Sequence, residues 1–496
     1  MANKPNIVLI IADQHRGDAM GCAGNPVART PNLDRIAAEG VVFGRCSTSS
    51  PVCTPARTSL LSGQYVNEHG GWANNFEADH NGPSHVRNIR DAGYRTAVFG
   101  KTHFRPYQLN DGHVKDHASG LNDLGYVDTH ELKDTIPDSN HRCYYSDFLE
   151  ERGRLQAYQD YTRVYRRAES RGALRPWEQT PNLIDDDEHL DIYCANKAAE
   201  YIQNYDDDRP FYLQVSLTGP HPPFDSPPEY RALFAPENMP AAIMETPMEP
   251  VSPQVKSKLA SSRLQNMTEN QSRMWASHYY SKIFFDDYAV GLVLQSMQER
   301  GLMDNTWIVY TSDHGEMMGD HRIAEKQVFY EGALNIPFIV RPPGGTHPWK
   351  TNALTDHYDV TDTLIDAAGA EPLDNSHGVS QIPKIEAGPD APDAQEGKEV
   401  VYSEISLYSM ARNEQYKMTV HSLTQEPLEL YDMVNDPAEL HNLVNEPSLK
   451  PVREHFLKEY FSQLLANMDQ EKVKIYQETK GMGTLTRWTK GGSWLQ

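Results

Sequence analysis

An α/β protein is expected: a large, mixed and mostly parallel sheet with helices on both faces, followed by a smaller C-terminal subdomain with a short antiparallel sheet and a helix. Three observations predict this. Apolar runs alternate with helical stretches through most of residues 1–375, the pattern of strands joined by crossover helices. The first run, residues 6–11 (NIVLII), is apolar without alternation, as a strand buried on both faces requires. From about Ala370 the pattern gives way to short strands set close together.

Taken in order, the first strand ends in Asp13-Gln14. Residues 30–40 offer Thr30 as a cap, Pro31 at the first helical position and Gly40 past the end, so a helix is predicted. Residues 41–43 form a strand leading to residues 50–63, SPVCTPARTSLLSG. There Thr54 is expected to cap a short helix with Pro55 in its first turn and Gly63 after its last. Cys53 would then lie at a helix N-terminus, where the dipole and free N–H groups favour anions, with Arg57 one turn along. A helix end at 88–93 precedes a strand at 96–99, which stops at Gly100-Lys101-Thr102-His103.

Residues 104–183 keep no clear period and are rich in Tyr, Arg and Asp, with Arg152, Arg154, Arg163, Arg166, Arg167, Arg171 and Arg175 in the second half. So long an irregular stretch reads as a functional insertion, a wall that sets specificity, or as a solvated helical one. A helix follows over 184–205, opened by the acidic turn 185–188, then a strand over 211–217 that runs into Gly219-Pro220-His221. After a proline-rich loop at 226–253 comes a long helix at 270–300. Strands at 306–310, ending in Asp313-His314, and at 338–340 complete the large domain. Short strands at 400–402, 416–420 and 428–431 and a helix at 448–468 make the subdomain. The expected divisions are 1–375 with the insertion 104–183, then 376–480, then a tail at 481–496 holding Trp488 and Trp494. Exposed tryptophans near a terminus suggest docking, and a homo-oligomer to which the tail contributes is expected.

The chain carries 46 basic and 69 acidic residues, a formal charge of −23, which argues against nucleic acid or an anionic membrane surface as a partner. No apolar run approaches the length of a membrane span. Residues 6–11 are too short for the core of a signal peptide and no small-residue cleavage site follows, so a cytoplasmic protein is expected. The five cysteines, at positions 22, 46, 53, 143 and 194, are irregularly spaced and include no C-x-x-C pair, so neither a disulfide framework nor a zinc ribbon is indicated. His15, His314 and His321 form no H-x-x-x-H pair on a helix, which removes the zinc-hydrolase signature.

Most polar candidates lie just past strand ends, the edge at which open α/β sheets bind ligands. Asp13-Gln14 and Asp313-His314 are two such pairs; together they offer two carboxylates, an amide oxygen and an imidazole, a set for a hard divalent cation. Taken singly, each aspartate also fits a turn cap; two pairs at equivalent strand ends favour the metal. By residue type alone Cys53 reads equally as a small core residue, and Lys101, His103, His221 and Lys326 as surface groups. Lys101 and His103 share one face if their segment is extended, and His221 is stiffened between prolines.

As a set these residues resemble the formylglycine-dependent sulfatases of the alkaline phosphatase superfamily, from Asn6 to about Leu443. The most specific motif is Cys53-Thr-Pro-Ala-Arg57 with Ser62-Gly63 downstream; Leu430-Tyr-Asp432, Asp436-Pro437-Ala-Glu439 and Asn442-Leu443 resemble the family's C-terminal signature. The resemblance implies that Cys53 is converted to formylglycine, an aldehyde, by a formylglycine-generating enzyme. It implies metal ligands at Asp13, Gln14, Asp313 and His314 with the modified Cys53, Arg57 holding the formylglycine, and catalytic groups at Lys101, His103, His221 and Lys326. Many members carry Asp-Asp and Asp-Asn as their pairs. The Asp-Gln and Asp-His found here resemble choline sulfatases and phosphonate monoester hydrolases. One negative charge is exchanged for a nitrogen ligand, so one divalent cation is expected, calcium or alternatively manganese.

The activity so implied is hydrolysis of a small-molecule or saccharide sulfate ester. One hydroxyl of the hydrated aldehyde attacks sulfur, His221 or Lys326 serves the leaving oxygen, and His103 takes the proton of the second hydroxyl so that sulfate is eliminated. Phosphonate monoester or phosphodiester hydrolysis on the same residues is the alternative; Lys101, often missing from phosphonate monoester hydrolases, favours the sulfatase. A non-catalytic anion or metal binder would lack some of the basic residues, and all are present.

Overall fold

The computed structural model describes residues 4–106, 112–133, 142–170, 175–178 and 184–482. Its large sheet contains β1 (Asn6–Asp13), β2 (Val41–Ser47), β3 (Arg95–Lys101), β4 (Asp128–Leu132), β5 (Phe211–Pro220), β6 (Thr306–Ser312), β7 (Asn335–Ile336), β8 (Phe338–Arg341) and β9 (Trp349–Asp356). The order is β4-β3-β5-β1-β6-β8-β2-β7, with β9 paired to β2. The run β4 to β6 is parallel throughout, and β8 reverses against both β6 and β2.

β1 lies inside this sheet because its side chains serve two cores. Val8, Ile10 and Ala12 pack with Leu33 and Ile36 of helix Pro31–Ala38, Ile192 and Ile202 of helix Leu190–Gln203, and Phe285 and Val293 of helix Glu269–Glu299. Ile7, Leu9 and Ile11 face the other way, onto Leu60 and Leu61 of helix Cys53–Ser62, Val86 and Ile89 of helix His85–Asp91, and Val360 and Leu364 of helix His357–Ala368. Alternation along a strand apolar on both sides thus gives the sheet a helical layer on each face.

The second sheet is an antiparallel meander of β10 (Val401–Ile405), β11 (Tyr408–Arg412), β12 (Tyr416–His421) and β13 (Pro427–Asp432). Tyr402, Ala411, Met418, Val420 and Leu430 pack against Phe456, Tyr460 and Phe461. β10 and β11 also touch the region of the large sheet: Ile405 and Met410 pack with Val52, Phe329 and Leu334, and Glu404 N donates to Ser49 O at 2.9 Å.

Glu404 completes this junction by accepting from Asn67 N at 3.1 Å and Asn67 Nδ2 at 3.0 Å. Burial outweighs these donors and pushes its carboxyl up to about 7 from 4.5. An acid raised on folding contributes stability below its unfolded value and loses it as pH rises through its folded one. Stability is therefore expected to fall between pH 4.5 and 7, by about 3 kcal/mol for a shift of this size. Denaturant unfolding across that range should show a flatter slope in Glu404→Gln; an unchanged slope would contradict the assignment.

Several expected elements are moved. Thr30 occupies the cap position, yet the first N–H groups of its helix are met by Asp287, which accepts from Asn32 N and Leu33 N. Gly40 has no positive φ; a Cβ there would lie 2.5 Å from Val340 O, so close approach of β8 requires it. Helix Cys53–Ser62 starts before Thr54, with Val52 in the cap position, and Thr54 N donates to Asn74 Oδ1 at 3.0 Å. Gly63 ends it at φ 69°, as expected. The acidic turn 185–188 precedes the next helix, which begins at Leu190 with the His189 ring accepting from Asp191 N.

Within residues 104–183, expected to be an insertion, lie edge strand β4 and helices Tyr144–Glu151 and Leu155–Ser170. Arg152 and Arg154 pair with Glu188, Arg154 also with Asp185, and Arg163 with Asp160. Arg171 and the side chains of Arg166 and Arg167 lie outside the described residues. The stretch at 448–468 divides into Pro447–Leu449, Lys450–His455, a π-helical segment Phe456–Phe461 and Ser462–Leu464. A further helix, Gln470–Met482, enters the expected tail; Trp488 and Trp494 lie outside the described residues. Among the described residues no helix is long and apolar enough to cross a membrane.

Candidate active site

Four neighbouring parallel strands, β3, β5, β1 and β6, end at one edge of the sheet. Lys101 is the last residue of β3 and Asp13 of β1; Asp313 follows β6 and His221 follows β5. Helix Cys53–Ser62 brings Cys53, its first residue, to the same edge. The backbone turns sharply as it leaves two strands: Gln14 has φ 72° and His103 φ 53°. Left-handed conformations of this kind cost non-glycine residues about 1–3 kcal/mol and cluster at functional sites. Because β3 ends at Lys101 and His103 is left-handed, the extended segment expected to align the two side chains is not formed.

One ligand atom each from Asp13, Cys53, Asp313 and His314 lies within 4.8 Å of the others, and all four residues are buried. Cys53 Sγ is 3.2 Å from His314 Nε2 and 4.0 Å from Asp13 Oδ1. His314 Nδ1 donates to Gly315 O at 3.0 Å, so Nε2 faces the cluster and carries the lone pair when the ring is neutral, as metal binding would require. Gln14 N and His314 N both donate to Asp313 Oδ1, at 3.1 and 2.9 Å, and fix that carboxylate.

Three buried cations surround this set. Arg57 donates from Nε to Asp313 Oδ2 at 2.8 Å, from Nη2 to Asp13 Oδ2 at 3.3 Å, and from Nη1 to Lys101 O and Ser216 Oγ, each at 2.8 Å. Lys101 Nζ donates to Asp13 Oδ2 at 2.6 Å. Lys326 Nζ lies 3.4 Å from Cys53 Sγ and donates to Gln14 Oε1 at 2.7 Å. Burial alone would raise the Asp13 carboxyl; Lys101, His221, Lys326 and Arg57 overcome it and hold Asp13 well below the usual carboxylate range. For Cys53, burial and Asp13 push upward, but Lys326, Lys101 and His314 together bring the thiol below its ordinary value. Burial would likewise lower Lys326, and Cys53 and Asp13 raise it instead.

Eight of the residues singled out in the sequence therefore meet by direct contact: Asp13, Gln14, Cys53, Arg57, Lys101, Asp313, His314 and Lys326. His221 reaches them electrostatically through Asp13, and its Nδ1 donates to Pro222 O at 2.8 Å. His103 is buried two residues beyond Lys101.

Sequence reasoning missed several supports. Ser216 shares its face of β5 with the other even-numbered positions, a signal a period-two count could have supplied. Glu316 stands in the same Asp-His-Gly-Glu run as the second pair. Thr48 Oγ1 donates to Asp313 O at 2.6 Å, and His357 Nε2 donates to Ser312 O at 2.9 Å. Nothing in their local sequence marks those two.

The β5 end that carries His221 has a buried ionic anchor. Asp191 Oδ1 accepts from Thr218 N at 2.7 Å, Thr218 Oγ1 at 2.8 Å and Gly219 N at 3.2 Å. Lys282 Nζ donates to Asp191 Oδ2 at 2.8 Å and to Asp286 Oδ1 at 2.6 Å. Lys282→Met would leave two buried carboxyl groups without their cation, and a loss of about 3–5 kcal/mol is expected in denaturant unfolding. A loss below about 1 kcal/mol would show that the anchor is unimportant.

The donor chemistry fits a divalent cation: two ionised carboxylates, an imidazole with its lone pair turned inward, and an amide oxygen beside them.

The family model described as Sulfatase matches residues 5–370, and that of the N-sulphoglucosamine sulphohydrolase C-terminal region matches residues 319–467. An arylsulfatase of Clostridium perfringens (strain 13 / Type A) is 30% identical over 391 residues, 77% of this chain and 79% of the relative. A choline-sulfatase of Rhizobium meliloti (strain 1021) is 27% identical over 405 residues, 77% of this chain and 72% of the relative. The crystal structure of the phosphonate monoester hydrolase of Agrobacterium radiobacter shares the fold, with a TM-score of 0.76 and 24% identity over 94% of this chain and 97% of that one.

Proposed function

The chain belongs to the sulfatase family, and from that premise we propose that it hydrolyses a sulfate ester to an alcohol and inorganic sulfate at the Cys53 cluster. It is a sulfuric ester hydrolase. The observation that carries the site assignment is the convergence of Cys53 with Asp13, Asp313 and His314 inside a ring of three buried cations. Asp13, Gln14, Asp313 and His314 would hold one divalent cation. The imidazole nitrogen among the oxygens suits manganese as well as calcium.

When in place, the cation supplies Lewis-acid stabilisation of ester oxygens, and formylglycine at position 53 supplies a hydrated aldehyde as nucleophile. Cys53 Sγ marks where that nucleophilic oxygen would stand. Arg57 fixes both aspartates with its fork and adds to the charges, Lys101 at Asp13 and His314 at Asp313, that keep them ionised. Lys101 adds a second charge on Asp13. Lys326 is held as an ammonium, which suits it to stabilising negative charge on the leaving oxygen rather than giving up its proton. His221, with Nδ1–H committed to Pro222 O, gains or loses its proton at Nε2 and is assigned as acid for the leaving alcohol. His103 is assigned as base for the second hydroxyl.

The substrate is a small-molecule or saccharide sulfate ester, and the second partner is an enzyme that converts Cys53. A homo-oligomer to which 481–496 contributes belongs to the same reading; a chain lacking those residues but keeping its oligomeric state would remove that part. The activity is tested by comparing an aryl sulfate with an aryl phosphonate monoester, each with calcium and with manganese. The sulfate is expected to show the higher kcat/KM, as Lys101 in the cluster favours. A higher value for the phosphonate monoester would replace the reading by phosphonate monoester or phosphodiester hydrolysis on the same residues.

A further inference from the structure

Of the ligands assigned above, Gln14 alone has unlike atoms at its tip. Either oxygen of a carboxylate can face a cation, but an amide ends in one acceptor oxygen and one donor nitrogen. A glutamine in this position is useful only if something fixes which way its amide points.

Two groups do so from opposite sides. Lys326 Nζ, which can only donate, gives a hydrogen bond to Gln14 Oε1 at 2.7 Å. On the far side Gln14 Nε2 donates to Glu316 Oε2. Turning the amide over would set its NH2 against an ammonium and its oxygen against a carboxyl. Lys326 also lies 3.4 Å from Cys53 Sγ, so the oxygen is the end on the cluster side.

Glu316 is itself held. It is fully buried, and its Oε1 accepts from Met318 N at 2.8 Å and Glu325 N at 2.6 Å. Those donors lie in a tight turn in which Met318, Glu325 and Gln327 all have positive φ. Only Oε2 remains to meet Gln14, and no step of the reaction as read above uses it.

We propose that Glu316 is a positioning residue that locks the Gln14 side-chain amide with its oxygen toward the metal-ligand cluster. This rests on the reading of Gln14 as a metal ligand. It explains how a neutral side chain can stand where a carboxylate would need no orienting, and ties Gln14 to the glutamate of Asp313-His314-Gly315-Glu316.

Glu316→Gln is the sharp test, because the two backbone donors dictate how the new amide sits. Its oxygen must stay on Met318 N and Glu325 N, so its NH2 faces the NH2 of Gln14, and either orientation of the Gln14 amide then meets an opposed donor. The measurement is Mn2+ affinity of the metal-stripped protein by calorimetric titration, with unfolding curves to verify the fold. Glu316→Gln is expected to weaken Mn2+ binding about 10–100-fold, the usual effect of removing an outer partner of a ligand. In a Gln14→Glu background the sign should reverse: the carboxylate introduced at position 14 repels that of Glu316, and adding Glu316→Gln should strengthen Mn2+ binding.

Should Glu316→Gln alone fail to fold, the pair Gln14→Glu and Gln14→Glu/Glu316→Gln carries the test. Unchanged affinity in a folded single variant, or the same loss in both backgrounds, would overturn the positioning role while leaving the metal reading intact. A folded wild-type protein that binds neither Mn2+ nor Ca2+ would overturn both.

Discussion

Replacing Cys53 by alanine is expected to lower kcat by ~10⁴–10⁶-fold, the loss seen when a covalent nucleophile is removed from an otherwise complete site. Stability should change little, by about 1 kcal/mol, since a single small side chain is shortened. Cys53→Ser should fall by a similar factor: a serine hydroxyl can attack sulfur, but it has no second hydroxyl through which sulfate could be eliminated. Steady-state kinetics on an aryl sulfate and mass analysis of the peptide spanning position 53 check this together. A purely unmodified thiol in fully active enzyme would sink the aldehyde, and an alanine variant keeping a tenth of the wild-type rate would sink Cys53 itself.

Arg57→Ala is expected to be the most destabilising change in the cluster. Arg57 is 2% exposed and bridges Asp13 and Asp313, both 0% exposed, so its loss takes the guanidinium from Asp313 and leaves Asp13 with Lys101, two buried carboxylates side by side with one fewer cation between them. Breaking a buried pair from one side costs about 3–5 kcal/mol. Arg57→Lys should recover only part of this. A lysine brings back the charge but not the fork that reaches Asp313, Asp13, Lys101 O and Ser216 at once. Added Mn2+ should narrow the gap between variant and wild type, because a bound cation supplies counter-charge and favours the folded state by mass action. Urea unfolding with and without metal measures both effects; a penalty that grew with added metal would contradict this electrostatic account.

The central strands of the large sheet were readable because burial on both faces leaves a mostly apolar run, as in β1, β5 and β6. β9 and β4 carry mixed residues, Trp-Lys-Thr-Asn-Ala-Leu-Thr-Asp and Asp-Thr-His-Glu-Leu, and their pairing is decided by tertiary contact. Helix starts shifted for a related reason. At Pro31 the cap comes from Asp287, more than 250 positions away in sequence, so no local signal could reveal it. In the site, residues with rare chemistry were legible: Asp13, Gln14, Asp313 and His314 at strand ends, and Cys53 and Arg57 in the first turns of a helix. Their supports were not, because Ser216, Thr48 and His357 act through ordinary hydrogen bonds that many positions could make. Glu316 was the exception, adjacent to a recognised pair and passed over because nothing in the sequence shows that Gln14 must be oriented.

The strand order also imposes a timetable. β1 is made first, but its two neighbours in the sheet are β5 and β6. Roughly 300 residues separate β1 from the end of β6, so at ~5–20 residues per second about 15–60 s pass on the ribosome before both edges can be paired. Until β5 is made both edges of NIVLIIAD are unpaired, and until β6 is made one still is, so the nascent chain depends on that edge being shielded. The same interval keeps Cys53 within reach. The finished protein leaves it 2% exposed with Lys326 Nζ 3.4 Å from its sulfur, so on the proposed reading the enzyme that converts this thiol would have to act before the fold closes over it.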